Sequence, residues 1–303
     1  ALGPSLVIGK DNLVGTRDPG SIWLLPAGKK KHICVAQKIM DESVAEGVVV
    51  PPYVYFCGES KGLIVQYDTR NRKTKIVHKG YKGGAWALGM ARSNYTGRVL
   101  EVVDRKDRPN VTTINELVEH DGSWVEKAEI PDIRSYSITL GGGLGWLLAG
   151  YEPGKKKRAI VMSLNDALEI TGLSYLAGAE YCWRAGFVHV PGWAGLGRYC
   201  VTTRPDASLW GLQIGGFERL HHLAVARLDR VKVWDQRVYL PSDNGSLYSL
   251  DLDLEDLKVE QSWPGKEVRA VGPRGDASAL LAYVNFPGKH GKYIECWEGK
   301  PCA

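Results

Sequence analysis

The chain has 303 residues, 44% of them hydrophobic and 24% charged, with a formal charge of +5. That balance excludes a disordered polyelectrolyte, and the length allows a sizeable core in a single domain, residues 1–303. The longest mostly apolar run, 138–150, is too short and too glycine-rich to span a bilayer as a helix.

The predicted elements are short strands, because glycine and proline are spread along the whole chain as turn residues and amphipathic helices are lacking. Residues 6–8 and 12–14 open the series. Residues 22–25 pair with 32–36 across a Gly-Lys turn. Three strands follow at 53–57, 63–67 and 74–78, the second ending in Asp68. Another three lie at 99–103, 111–118 and 124–130. Residues 146–149 pair with 159–164. The stretch 165–176 reads as a turn and strand, since Gly172 and Thr171 disfavour a helix. Residues 199–203 pair with 208–213. The clearest hairpin joins 238–240 to 247–252 through Asn244-Gly245, a dipeptide that tolerates positive φ at both turn positions. A third strand follows at 257–263, and 281–285 pair with 293–297.

One anchor from each unit (Ile33, Leu63, Thr113, Ile160, Leu209, Leu247, Ile294) recurs on average about every 43 residues, within the roughly 40–50 of a propeller blade. The fold class expected is therefore all-β: a β-propeller of about seven four-stranded blades, with six as the alternative count. Residues 6–8 are expected to complete the last blade and so close the ring.

The stretch VYLPSDNGSLYSLDL (238–252) resembles the repeat of PQQ-like and WD-like β-propellers, with its strand, Asn-Gly turn and Leu-Tyr-x-Leu-Asp. Residues 54–68 match it more loosely. Asp243-x-Gly245-x-x-Tyr248 resembles part of a sialidase Asp-box, itself a hairpin device. The resemblance implies architecture and not activity. No equivalent of the cofactor-stacking Trp motif is present, so no PQQ and no other cofactor is expected.

Chemistry is sparse. Neither an H-E-x-x-H nor a G-x-S-x-G pattern occurs, and no metal site is expected. His221 and His222 are adjacent and would point to opposite faces of a strand. Asp251, Asp253, Glu255 and Asp256 read as a solvated edge and turn. The glycines at 141–143 and 145 read as a device for close packing near the axis. Lysine and arginine gather at 29–31, 70–75 and 155–158, between apolar runs, as loop tips.

Six cysteines suggest three disulfides, taken in sequential order among the possible pairings as Cys34 with Cys57, Cys182 with Cys200 and Cys296 with Cys302, with buried free thiols as the alternative. Three sequons, at Asn94, Asn110 and Asn244, fall in predicted turns. With the start at Ala1, these features give the expectation of a secreted or cell-surface glycoprotein. Trp183, Trp193 and Trp210 are the candidate binding residues, as aromatics near a Gly-rich loop at 185–197.

The function expected is a non-catalytic propeller acting as a protein-interaction or structural scaffold, with a macromolecular partner, a glycan or a second copy of itself, and no nucleic acid. Two alternatives stand beside it: a hydrolase, lyase or lactonase with its site at the axial channel, and a carbohydrate-binding lectin.

Overall fold

The computed structural model describes residues 2–299, apart from short segments at 17–19, 28–32, 41, 94–95, 119–121, 142–144, 190–196, 214–215, 224, 226, 230, 275–278 and 286–293. Among these residues there are 27 strands and no helix. They form seven antiparallel sheets, each built from strands consecutive in sequence.

The first sheet holds β1 (Leu2–Ile8), β2 (Asp11–Thr16), β3 (Gly20–Leu25) and β4 (Ile33–Met40). The second holds β5 (Val44–Val50), β6 (Tyr53–Gly58), β7 (Leu63–Asp68) and β8 (Lys73–Lys79). The third holds β9 (Ala85–Arg92), β10 (Val99–Arg105), β11 (Val111–Leu117) and β12 (Trp124–Pro131). The fourth holds β13 (Arg134–Gly141), β14 (Gly145–Glu152), β15 (Arg158–Leu164) and β16 (Ile170–Tyr175). The fifth holds β17 (Tyr181–His189), β18 (Gly197–Arg204), β19 (Ala207–Gln213) and β20 (Gly216–Leu223). The sixth holds β21 (Lys232–Trp234), β22 (Arg237–Pro241), β23 (Ser246–Leu250) and β24 (Lys258–Ser262). The seventh has three described strands, β25 (Glu267–Pro273), β26 (Leu280–Asn285) and β27 (Ile294–Gly299).

The first strands of successive sheets touch in turn around a closed circuit, β1 to β5, β9, β13, β17, β21, β25 and back to β1. Apolar clusters fill the spaces between sheets. Leu13, Ile22, Val54 and Phe56 join the first and second, and Leu100, Ile114, Trp146 and Ile160 the third and fourth. Val14 of the first sheet meets Leu281 and Tyr283 of the seventh. A lone sheet of four short strands leaves two apolar faces wet; the ring buries both.

Burial explains why these residues form these elements. Second and third strands are covered on both faces and read as near-continuous apolar runs, as in β10 and β14. Fourth strands lie outermost and carry charge, as in β8 and β24. First strands crowd the axis and need small residues. A Cβ on Gly89 of β9 would lie 2.8 Å from the Ile138 backbone nitrogen and 2.9 Å from Ser137 Cα, both on β13.

Two expectations are corrected here. β1 does not add to the last sheet: it pairs with β2, Leu6 opposite Leu13. The ring closes by packing and by a hydrogen bond from Asn12 Nδ2 to the Pro273 carbonyl, 2.9 Å. The anchor Ile33 falls in a fourth strand, whereas the other six anchors fall in third strands. Ile22 on β3 holds the equivalent place.

The disulfide pairings are also corrected. Cys34, Cys57, Cys182 and Cys200 are free thiols. Cys182 lies opposite Thr203, and Cys200 opposite Gly186, so the two are offset by three residues, roughly 10 Å along the strand. They also face opposite sides of the fifth sheet, Cys182 toward the fourth and Cys200 toward the sixth. Cys57 packs between the second and third sheets, away from Cys34 on the first sheet's outer strand. The pairing of Cys296 with Cys302 lies outside the described residues.

Candidate functional site

Each sheet has two ends. The turn between its second and third strands and the connector to the next sheet lie at one end, which forms the connector face of the ring. The other two turns lie at the hairpin face. At the connector face, side chains clasp adjoining segments. Glu42 Oε2 accepts from the Ser60 and Lys61 amides, both at 2.6 Å, holding the connector against the β6–β7 turn. Thr112 Oγ1 donates to the Ile133 carbonyl and accepts from the Ser135 amide, each at 2.9 Å. Asp243 Oδ1 accepts from the Arg227 amide at 3.0 Å.

Near this face the first strands bulge. The ladder skips one residue between Ser135 and Ser137 on β13 and between Cys182 and Arg184 on β17. The residues skipped are Tyr136 and Trp183. A bulge frees a side chain from the alternation of the strand and re-aims it. Here the two rings meet, 5.3 Å between centroids, and pack against the cluster of the second and third sheets.

Together with Tyr181, Arg204 and Pro205, Tyr136 and Trp183 line a cavity of about 430 Å³ between the fourth and fifth sheets. Tyr151 backs it, 5.5 Å from Tyr136 and 4.9 Å from Tyr181. The protein's own cations cover these rings. The Arg204 guanidinium sits 4.7 Å and that of Arg184 5.3 Å from the Trp183 ring. Lys157 lies 4.7 Å from the Tyr181 ring and Arg134 5.9 Å from that of Tyr151.

The electrostatics of the four cations differ. Arg134 is bound to Asp104, whose side chain is fully buried, at 2.5 Å. Arg184 faces Asp229 at 3.6 Å. Lys157 donates to the Tyr181 hydroxyl. The Arg204 side chain makes no hydrogen bond or ion pair with any described residue, although Asp243 and Asp229 attract it. Burial, and then the nearby Arg227, push its guanidinium below the usual arginine range. Burial likewise raises the Tyr136 phenol. Beside the cavity, the β14–β15 turn exposes Lys155 and Lys156.

Among the sequence candidates, Trp183 lines this cavity. Trp210 is buried between the fourth and fifth sheets and donates to Thr203 Oγ1 at 3.3 Å, a packing position. Trp193 and Asn94 lie outside the described residues. Asn110 is exposed at the β10–β11 turn with φ 64°, while Thr112 of its sequon is buried. Asn244 is exposed, and its amide bonds Ser246 N and Tyr248 Oη. His221 contacts the Leu254 carbonyl and His222 contacts Ser208, on opposite faces. Among the described residues no three His, Cys, Asp or Glu side chains gather as a metal set. Tyr181 stands close in sequence to the tryptophan candidates; sequence reasoning missed Tyr136 and Arg204, and Tyr136 sits on a first strand whose bulge breaks the period-2 pattern that reveals a strand.

The chain is similar to two solved structures over nearly its whole length. The Pan2 WD40 domain of Neurospora crassa shares 12% identity at a TM-score of 0.57, covering 95% of this chain and 90% of that one. Kuenenia stuttgartiensis hydrazine synthase shares 12% identity at a TM-score of 0.70, covering 97% and 94%. The chain is a β-propeller. No protein-family profile and no curated protein sequence matches it. Because 1218 solved chains match, the propeller shape does not single out an activity.

Proposed function

We propose that this propeller is a protein-interaction scaffold that engages its partner through the connector face at the fourth and fifth blades. One observation carries the reading. Exposed lysines and a half-buried arginine whose guanidinium makes no hydrogen bond to a described residue stand there beside an aromatic-walled cavity. Aromatic and arginine side chains are the residues that concentrate binding energy at protein interfaces. The architecture is compatible with such a role. An extracellular placement rests on the sequons, of which Asn110 and Asn244 are exposed, since the four described thiols give it no support.

Site-specific cross-linking tests the reading. A photoreactive benzoylphenylalanine is placed at position 156 on the connector face, or at position 71 on the hairpin face, and the protein is irradiated in extract of its source cells. A discrete adduct is expected at 156 and not at 71. Adducts confined to 71 would place the interaction on the wrong face.

A further inference from the structure

An aromatic cage is ordinarily a receptor for cations, because the ring faces carry negative potential. In this propeller those faces are already taken: Arg204 and Arg184 lie over Trp183, and Lys157 and Arg134 over Tyr181 and Tyr151. A further cation entering the cavity meets like charge. An anion meets the edge of a guanidinium instead.

The charge balance narrows the anion. Arg134 and Arg184 face Asp104 and Asp229, so their charges are offset within the protein. Lys157 is engaged with Tyr181 at the rim. One cavity-lining cation, Arg204, has no hydrogen bond or ion pair with a described side chain; Arg227 repels it, while Asp243 and Asp229 attract it without touching it. A phosphate monoester brings a charge of about −1.5 to −2, more than this one guanidinium balances. A carboxylate brings one charge. Lying over the Trp183 ring without a hydrogen bond to a described residue, the guanidinium has its N–H fork to offer to the planar two-oxygen edge of a carboxylate.

Resting on the interaction reading above, we propose that the cavity lined by Tyr136, Tyr181, Trp183 and Arg204 receives a side-chain or terminal carboxylate from an acidic segment of the partner protein. Lys155 and Lys156, on the exposed turn beside it, attract neighbouring acidic residues of that segment.

The test uses fluorescein-labelled decapeptides of alternating glutamate and serine, their glutamine and lysine counterparts, and a phosphoserine version, measured by fluorescence polarisation up to millimolar protein. The glutamate peptide is expected to bind about tenfold or more tightly than the glutamine one, the scale of a charge-assisted hydrogen bond. Arg204→Met, which keeps an extended stem without the N–H fork, removes that preference, and Arg204→Lys restores part of it. Unchanged thermal melting checks that the variants are folded. Equal affinity for the glutamate and glutamine peptides, a preference for the lysine peptide, or a preference retained in Arg204→Met overturns the proposal. So does tighter binding of the phosphoserine peptide, which would assign the cavity to phosphate. Failure of the cavity is separable from failure of the face. If Arg204→Met binds like wild type while Lys155→Ser with Lys156→Ser abolishes binding, the face stands and the pocket does not. If no peptide binds, the cavity inference fails and the cross-link at position 156 still decides the face.

Discussion

At the residue scale, Glu101 sits in a wholly buried position on β10. Its Oε2 accepts from Asn115 Nδ2 at 2.9 Å, and its Oε1 has no hydrogen-bond partner among the described residues. Burial pushes its carboxyl up to about 8, against the pull of Asn115 and helped by Glu42. The unfolded carboxyl titrates near its ordinary 4.5. Between those two values the folded chain holds a proton that the unfolded chain has released. Stability from this group is therefore full below about pH 4.5, falls as pH rises toward about 8, and levels off above. Glu101→Gln should remove this decline and raise the melting temperature most above pH 8. Parallel melting curves for variant and wild type from pH 5 to 9 would contradict the assignment.

Gly58 poses a second problem at the same scale. An added Cβ there would lie 2.1 Å from Glu42 Oε1 and 2.3 Å from Glu42 Cδ. Glu42 cannot swing aside without losing its bonds to Ser60 and Lys61. Gly58→Ala should therefore lower unfolding free energy by about 2 kcal/mol or more in urea titrations. A loss below about 0.5 kcal/mol would show that the clasp gives way freely.

The thiols follow from burial too. Cys57, Cys182 and Cys200 are enclosed, and burial lifts each thiol, Cys200 to about 12. Cys34 is partly exposed. Brief alkylation of native protein, read by peptide mass, should mark Cys34 and spare the other three until urea is added. A recovered Cys182–Cys200 cross-linked peptide would refute the arrangement of the fifth sheet.

At the scale of elements, the second and third strands were legible in the sequence because they are apolar on both faces. The Asn244-Gly245 turn was legible for a local reason: Gly245 adopts φ 83°, and a Cβ there would lie 2.1 Å from the Trp263 carbonyl. Apart from β1, read at 6–8, the first strands were not legible. β5, β9, β13 and β17 combine glycine, serine and charge with bulged ladders, and their pattern answers to neighbours around the axis. The cavity belongs to that hidden set. Trp183 was noticed only as one of several tryptophans, and its partners Tyr136 and Arg204 stand 47 residues before and 21 after it in the chain. The clasps join elements in the same way. Thr112→Val keeps the shape of the side chain and leaves the Ser135 amide and Ile133 carbonyl unmatched, at a cost of about 2 kcal/mol. Urea titration of this variant against Thr113→Val, whose hydroxyl has no hydrogen-bond partner among the described residues, isolates the clasp.

For the whole molecule, the ring has to close between β1 and β25, and among the described residues no strand crosses that seam. Closure relies on Val14, Leu281 and Tyr283 and on the Asn12 bond to Pro273. Leu281→Ala should cost about 2–5 kcal/mol as a core truncation. Hydrogen exchange should quicken first in the first and seventh sheets; an even loss of protection over all seven would mean that the seam is no weaker than the other interfaces.

The all-β class, the repeat of roughly four dozen residues and the turn positions were determined by sequence alone, because turn chemistry and strand periodicity act over a few neighbouring residues. The state of the described cysteines, the seam, and the meeting of Tyr136, Trp183 and Arg204 were decided only by tertiary structure. Each depends on which face of one sheet is turned toward the next. A one-residue bulge settles that facing, and no local pattern reports it.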